Sequence, residues 1–198
     1  MGTRTTLVAL AVATGALLIT AAPAGAEHPH PPFVPPAPPD PISDTGYQPA
    51  ENRPPSPPLR ACGTKIIVDE VNRYFAVEER VREYPDGVTR IDGRGQVILQ
   101  ATAADGRRAR LDASGPYTVI IDEDANVVNV YGRGATVVTP FSDLERASVK
   151  AAGLPVFSQY SGQTHFRDTL DPKTGDVIAS KVIERPRFVT NACHLLHR

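Results

Sequence analysis

The chain ends in "TNACHLLHR", residues 190 to 198, which sets Cys193 beside His194 with His197 three positions on. Three chemistries use such residues. A thiolate with an imidazole base is a nucleophile, Cys and His together hold zinc, and a cysteine with a distant partner forms a disulfide. Zinc needs a fourth ligand, and C-H-x-x-H alone is not a standard ligand spacing. If the segment is the closing strand, alternation turns His194 away from Cys193, which argues against a thiol–imidazole pair. The remaining cysteine is Cys62. In an oxidising compartment an even pair is read first as a disulfide, and Cys62–Cys193 would close a loop of roughly 130 residues.

Other residues with chemical potential are scattered. His28 and His30 lie near the expected mature amino terminus, but Pro29 has no amide hydrogen, so the usual amino-terminal copper arrangement is broken. His165 stands near Asp168 and Asp171, the minimum for acid–base work. Three apart on a strand, His165 and Asp168 face opposite sides, so an exposed strand histidine is the preferred reading. Arg90, Arg94, Arg107, Arg108 and Arg110 form a lysine-free cluster whose forked guanidinium groups suit phosphate or carboxylate. An anionic polymer such as a cell-wall phosphate polymer is one occupant; cross-strand ion pairs on a wet face are the commoner use. Asp122, Glu123 and Asp124 in "IDEDAN" lack the alternating ligand set of a calcium loop, so a hairpin turn is expected. No nucleophile elbow, H-E-x-x-H pair, phosphate-binding glycine loop or calcium-loop pattern is present, and no cofactor is implied.

The elements that must carry these residues follow from composition. Arg4, the apolar run 7 to 20 and "PAGA" ending at Ala26 read as a signal peptide, residues 1–26. The expected location is therefore outside the cytoplasm, secreted or held at the cell wall. No stretch of the mature chain is apolar enough to span a bilayer. Across the whole chain 21 basic residues face 22 acidic ones, which gives no reason to expect nucleic acid. Residues 27–60 contain 13 prolines and read as an extended, disordered stalk. Such a stalk serves as a spacer first and as a ligand for aromatic grooves second.

Residues 61–198 read as one all-β domain. Short runs rich in Val, Ile, Thr and Tyr are punctuated by "PDG", "GRG", "ADG", "SGP", "EDAN", a second "GRG" and "DPKTGD". Alternation places Tyr117, Val119 and Ile121 on one face, Val128 and Val130 on one face, and Thr164, Phe166, Asp168 and Leu170 opposite His165 and Arg167. The two "GRG" triplets hint at repeated hairpins. "SDLERASVKAAG", 142 to 153, is the one helical stretch: Ser142 and Glu145 have capping-box spacing and Gly153 ends it. The expectation is an antiparallel barrel or barrel-like sandwich of roughly eight strands with one short helix.

From Cys62 to about residue 196 the chain resembles a family of secreted actinobacterial β-proteins with no established activity. The resemblance is carried by the signal peptide, "ACG" at 61 to 63, the turn Tyr84 to Gly87, "SGP" before a strand, the D-x-x-x-N-V-V hairpin from Asp122, and "CHLL" at 193 to 196. It implies a compact antiparallel barrel whose paired cysteines link its ends. It transfers no active-site residue.

The first functional expectation is a secreted, non-catalytic binding or interaction protein; its partner is a cell-wall component or another secreted protein. The alternative is a small lipocalin-like barrel holding an apolar ligand, with isomerase-type chemistry inside. A hydrolase with scattered residues ranks third. An apolar cavity with a few convergent polar groups favours the ligand reading, and a filled interior favours the interaction reading.

Overall fold

The computed structural model describes residues 33–50, 57–140 and 142–196, the side chains of residues 72–74 excepted. The signal-peptide reading, His28, His30 and His197 lie outside the described residues.

The described chain is one antiparallel sheet with one α-helix. Four long strands carry it: β4 (Thr64–Glu83), β5 (Val88–Ala103), β8 (Val127–Val138) and β9 (Ser158–Leu170). Shorter strands flank them: β1 (Ser43–Asp44), β2 (Gln48–Pro49), β3 (Leu59–Ala61), β6 (Arg108–Asp112), β7 (Tyr117–Asp122), β10 (Val177–Glu184) and β11 (Phe188–Asn191). The main path runs β1-β4-β5-β7-β8-β9-β10. The ladders of the described residues leave it open instead of closing a ring.

Eleven strands among the described residues exceed the eight anticipated, for two reasons. The region before Cys62 supplies β1, β2 and β3, all paired with β4. The long strands also change neighbours midway. β5 pairs with β7 through residues 88–93 and with β6 through residues 98–102. β9 pairs with β11 at its start and with β10 towards its end. Both "GRG" triplets, read as hairpin turns, lie inside β5 and β8. Glycine inside a strand marks a bend or close backbone approach as well as a turn, and here it bends. At the same level residues 71–74 of β4 stand opposite the single residue Ile98 of β5, a bulge that sharpens the bend.

"SGP" carries the chain from β6 to β7, which both pair with β5, and the four other turn signals close hairpins. "PDG" joins β4 to β5, "ADG" joins β5 to β6, "EDAN" joins β7 to β8, and "DPKTGD" joins β9 to β10. Asp122 Oδ1 accepts from the Ala125 amide at 2.8 Å, so the acidic loop is held as a turn.

The helix α1 (Asp143–Ala151) starts as its residues dictate. Ser142 Oγ accepts from the Glu145 amide at 3.1 Å, and Glu145 Oε2 accepts from the Ser142 amide at 2.6 Å. That reciprocal pair is a capping box. Val149 then packs with Leu154 and Tyr160, against Phe166 and Val182 of β9 and β10. Burial pushes the Tyr160 phenol up to about 12, with Ser158 and Arg185 opposing the rise.

The larger core lies between the β3-β4-β5-β6 end of the sheet and the start of β9. Ile66 and Val68, Ala101 and Ala103, and Ala109 and Leu111 alternate inward from three neighbouring strands and meet Phe157, Ala192 and Leu196. Ile66 and Leu111 are fully buried, and each contributes about 1.5–3 kcal/mol by leaving water. The bridge Cys62–Cys193 packs on this core, with a Cα–Cα separation of 5.3 Å. Cys62 and Gly63 form the two-residue turn between β3 and β4, with φ of 54° and 72°, the signs of a type I′ hairpin. Cys193 sits in a 3₁₀ turn, Ala192–Leu195, and not on a strand. Asn191 ends β11 by capping that turn: its Oδ1 accepts from the Cys193 amide at 3.0 Å. Strand alternation therefore does not govern His194; the disulfide itself occupies the thiol. A disulfide of this kind belongs to a non-reducing compartment. Among the described residues no helix is long and apolar enough to cross a membrane.

Much of the proline-rich region lies along the sheet. Phe33 meets the Tyr131 ring edge-to-face at 5.6 Å, and the Arg133 guanidinium lies 5.4 Å from the Phe33 ring. Arg90 Nη1 donates to the Pro35 carbonyl at 2.7 Å. The amides of Ile42, Thr45 and Ala50 donate to carbonyls of β4. Proline cannot donate to a ladder, so the non-proline residues between the prolines supply the amides. A chain beginning at residue 51 is expected to melt roughly 5 °C lower or more, since each kcal/mol lost shifts a domain of this size by about 2–4 °C. Differential scanning calorimetry checks this, and an unchanged melting temperature would mean that the segment adds nothing to the fold.

Candidate functional site

A pocket of about 510 Å³ opens on the inner face of the sheet beneath α1, within the range of small-molecule sites. Alternation explains its walls. Phe75, Val77 and Glu79 face it from β4, Val97 and Leu99 from β5, and Tyr117 and Val119 from β7. Val130, Thr136 and Val138 face it from β8, Thr164, Phe166 and Asp168 from β9, and Ser180 from β10. Glu145 and Val149 of α1 lie over it. Phe75, Val97, Leu99, Val119, Val130 and Phe166 are only half-buried because this space lies in front of them.

The bend creates the space. Gly93 replaces a side chain with nothing, and the Tyr117 ring takes its place; a Cβ there would lie 2.2 Å from that ring. The Tyr117 hydroxyl donates to Glu79 Oε1. Polar groups thus sit on an otherwise aliphatic and aromatic lining. Asp168 is one of them. Burial raises its pKa; the Ser180 hydroxyl across the ladder opposes this, and the Glu145 charge raises it further. Asp168 Oδ1 is buried without a hydrogen-bond partner among the described residues.

The opposite face carries the other residues singled out in the sequence. His165 points away from Asp168, as strand alternation requires, and half-buries under Tyr131: the rings stack at 4.1 Å and 20°. Its Nε2 lies 3.0 Å from Asn129 Oδ1. Desolvation lowers its pKa, and the Arg167 charge lowers it further. His165 and Asp168 are therefore separated by the sheet and do not form an acid–base pair.

The five arginines fall at separate places. Arg90 Nε donates to Asp92 Oδ2 at 2.9 Å, Arg82 also binds that carboxylate, and Thr118 Oγ1 donates to Asp92 Oδ1 at 2.7 Å. Burial raises the Asp92 pKa, but the Arg90 and Thr118 hydrogen bonds with the arginine charges outweigh it and hold the carboxyl below its usual range. Arg94 is paired across the ladder with Glu78 at 2.9 Å and covers the Tyr47 ring at 3.8 Å. Arg107 is paired with Asp105 at 2.8 Å. Arg108 and Arg110 are exposed on β6, projecting away from buried Ala109 and Leu111. Arg90, Arg94 and Arg107 thus hold carboxylates. Among the described residues no group of three or more His, Cys, Asp or Glu side chains is placed to hold a metal.

Sequence reading identified the inward faces of β7, β8 and β9 but not the pocket. Glu145 is legible in the sequence only as a cap. The convergence of the pocket walls depends on two long strands bending at glycine. The chain matches no protein-family model, no curated protein and no solved structure.

Proposed function

We propose that this protein is a secreted, non-catalytic binding protein that holds a small, mainly apolar molecule in the pocket beneath α1. The observation that carries the reading is the pocket itself: about 510 Å³ of space walled by Phe75, Val97, Leu99, Val119, Val130 and Phe166. Half-buried apolar side chains around an internal space are costly unless something covers them, and an apolar ligand recovers that free energy at about 25 cal/mol per Å². The disulfide supports the extracellular part of the reading.

The test is fluorescence titration with N-phenyl-1-naphthylamine, a neutral dye that brightens in apolar surroundings. Saturable binding at one site is expected. Val130→Trp, which fills the pocket, is expected to weaken it at least tenfold while leaving the melting temperature within a few degrees. Absent saturation, or unchanged binding by a folded Val130→Trp variant, would overturn the reading.

A further inference from the structure

We infer that the face of the sheet turned away from the larger core, where Arg60, Lys65 and Arg108 lie, binds a linear phosphate polymer. This surface is separate from the pocket, and the inference does not rest on the pocket reading.

Alternation places these residues together. Leu59 is buried, so Arg60 projects the other way from β3; Ile66 and Val68 point to the core, so Lys65 and Ile67 project outward from β4. On β6, Ala109 and Leu111 point inward and Arg108 and Arg110 outward. Thr102 of β5 stands opposite both Ile67 and Arg108 and brings a hydroxyl between the cations. Neighbouring strands lie about 5 Å apart, so the band from β3 to β6 crosses about 15 Å of surface.

Arg60 and Lys65 stand directly opposite each other on the β3–β4 ladder, and like charges so placed destabilise a sheet. The same sheet shows how such a pair is satisfied from within. Arg82 stands directly opposite Arg90, and the Asp92 carboxylate binds both. Beside Arg167 and Lys181, also opposed, Glu184 lies diagonal on the same face. Arg60, Lys65 and Arg108 are exposed and hold no carboxylate among the described residues. The nearby carboxylates are set apart from them. Asp105 is paired with Arg107 at 2.8 Å. Asp112 stands beyond Arg110, its Oδ1 accepting from the Ser114 amide at 2.9 Å. Asp69 is half-buried beyond Ile67. An external anion therefore takes the part here that Asp92 takes beside Arg82 and Arg90. A guanidinium fork beside a compact ammonium suits phosphate, whose oxygens accept from both, and the next phosphates of a chain reach Arg108. With 21 basic and 22 acidic residues the whole chain does not attract a polyanion, so the attraction is local to this band.

The experiment is calorimetric titration with linear polyphosphate at low salt, with polyglutamate and phosphatidylglycerol vesicles as comparison probes. Saturable binding of polyphosphate is expected, falling with salt at a logarithmic slope of about −2, as three neutralised phosphates at about 0.7 each require. R60Q/K65Q/R108Q should bind about tenfold or more weakly, with a slope near zero. K173Q/R185Q/R187Q removes the same charge from the β9–β10 turn and the β10–β11 link, and should bind within about twofold of the unaltered protein. Lys65→Glu turns the like-charge pair into an ion pair. It should raise the melting temperature by about 1–3 °C while weakening polyphosphate binding. No saturable binding, equal losses in the two triple variants, or a Lys65→Glu variant that melts lower or binds as before overturns the inference. Polyglutamate or vesicles bound as tightly as polyphosphate also overturn it, in favour of a carboxylate polymer or a membrane surface.

Discussion

Opening the Cys62–Cys193 bridge is expected to lower the unfolding free energy by up to about 5 kcal/mol, from the loop entropy of a cross-link spanning 131 residues. The bridge joins the β3–β4 turn to the 3₁₀ turn after β11, so it ties the two sides of the larger core together. Without it the unfolded chain regains the freedom that the loop removed, and Leu59, Ala192 and Leu196 lose the constraint that keeps them on Ile66 and Leu111. The variant of choice is C62N/C193S. Cys62 has φ of 54°, a conformation asparagine tolerates, and Asn-Gly is the preferred type I′ pair. The substitution therefore removes the cross-link without straining the turn. Urea unfolding of the variant, and of the unaltered protein with and without reductant, should place both unbridged forms well below the bridged one. Equal midpoints would show that the core alone holds the ends, with the bridge adding only chemical closure.

A comparable loss is expected at Gly95. This residue lies where β5 passes from β7 to β6, with φ of 134°. A Cβ there would stand 2.0 Å from the Ala76 carbonyl oxygen and 2.9 Å from the Val77 Cα. Both obstacles are backbone, so no rotamer change relieves them. Gly95→Ala should cost about 3 kcal/mol, combining an unfavourable φ with a clash that moves β4. Gly106→Ala is the matched control: its φ is 85° and nothing lies within 4 Å of the added methyl, so only the conformational cost of about 1 kcal/mol applies. Because Gly95 pairs with Val77 and precedes Val97 by two residues, and both valines line the pocket, Gly95→Ala should also weaken dye binding more than tenfold, whereas Gly106→Ala leaves it alone. Similar stability losses in the two variants would mean that β5 bends without needing glycine.

Local chemistry made several features readable before any fold was known. A hydroxyl three residues ahead of a glutamate caps a helix wherever it stands, so Ser142, Glu145 and the short α1 were legible. Alternation has a strict period of two, so Tyr117 with Val119, and Phe166 with Asp168, were placed on shared faces and His165 on the other. Two cysteines bracketing a β-rich stretch were read as one bridge from their number and position. Other features depended on distant partners. "GRG" has the same composition in a turn and in a bent strand, and only pairing with β4, β7 and β9 decides between them. Proline-rich chain reads as a free stalk until a sheet edge and the Tyr131 ring present themselves to its non-proline residues. The pocket is the clearest case. Phe75, Val97, Val130, Glu145 and Asp168 come from five elements with ordinary local patterns, and only the bend at Gly93 and Gly95, under a helix fixed by its own cap, brings their side chains around one space.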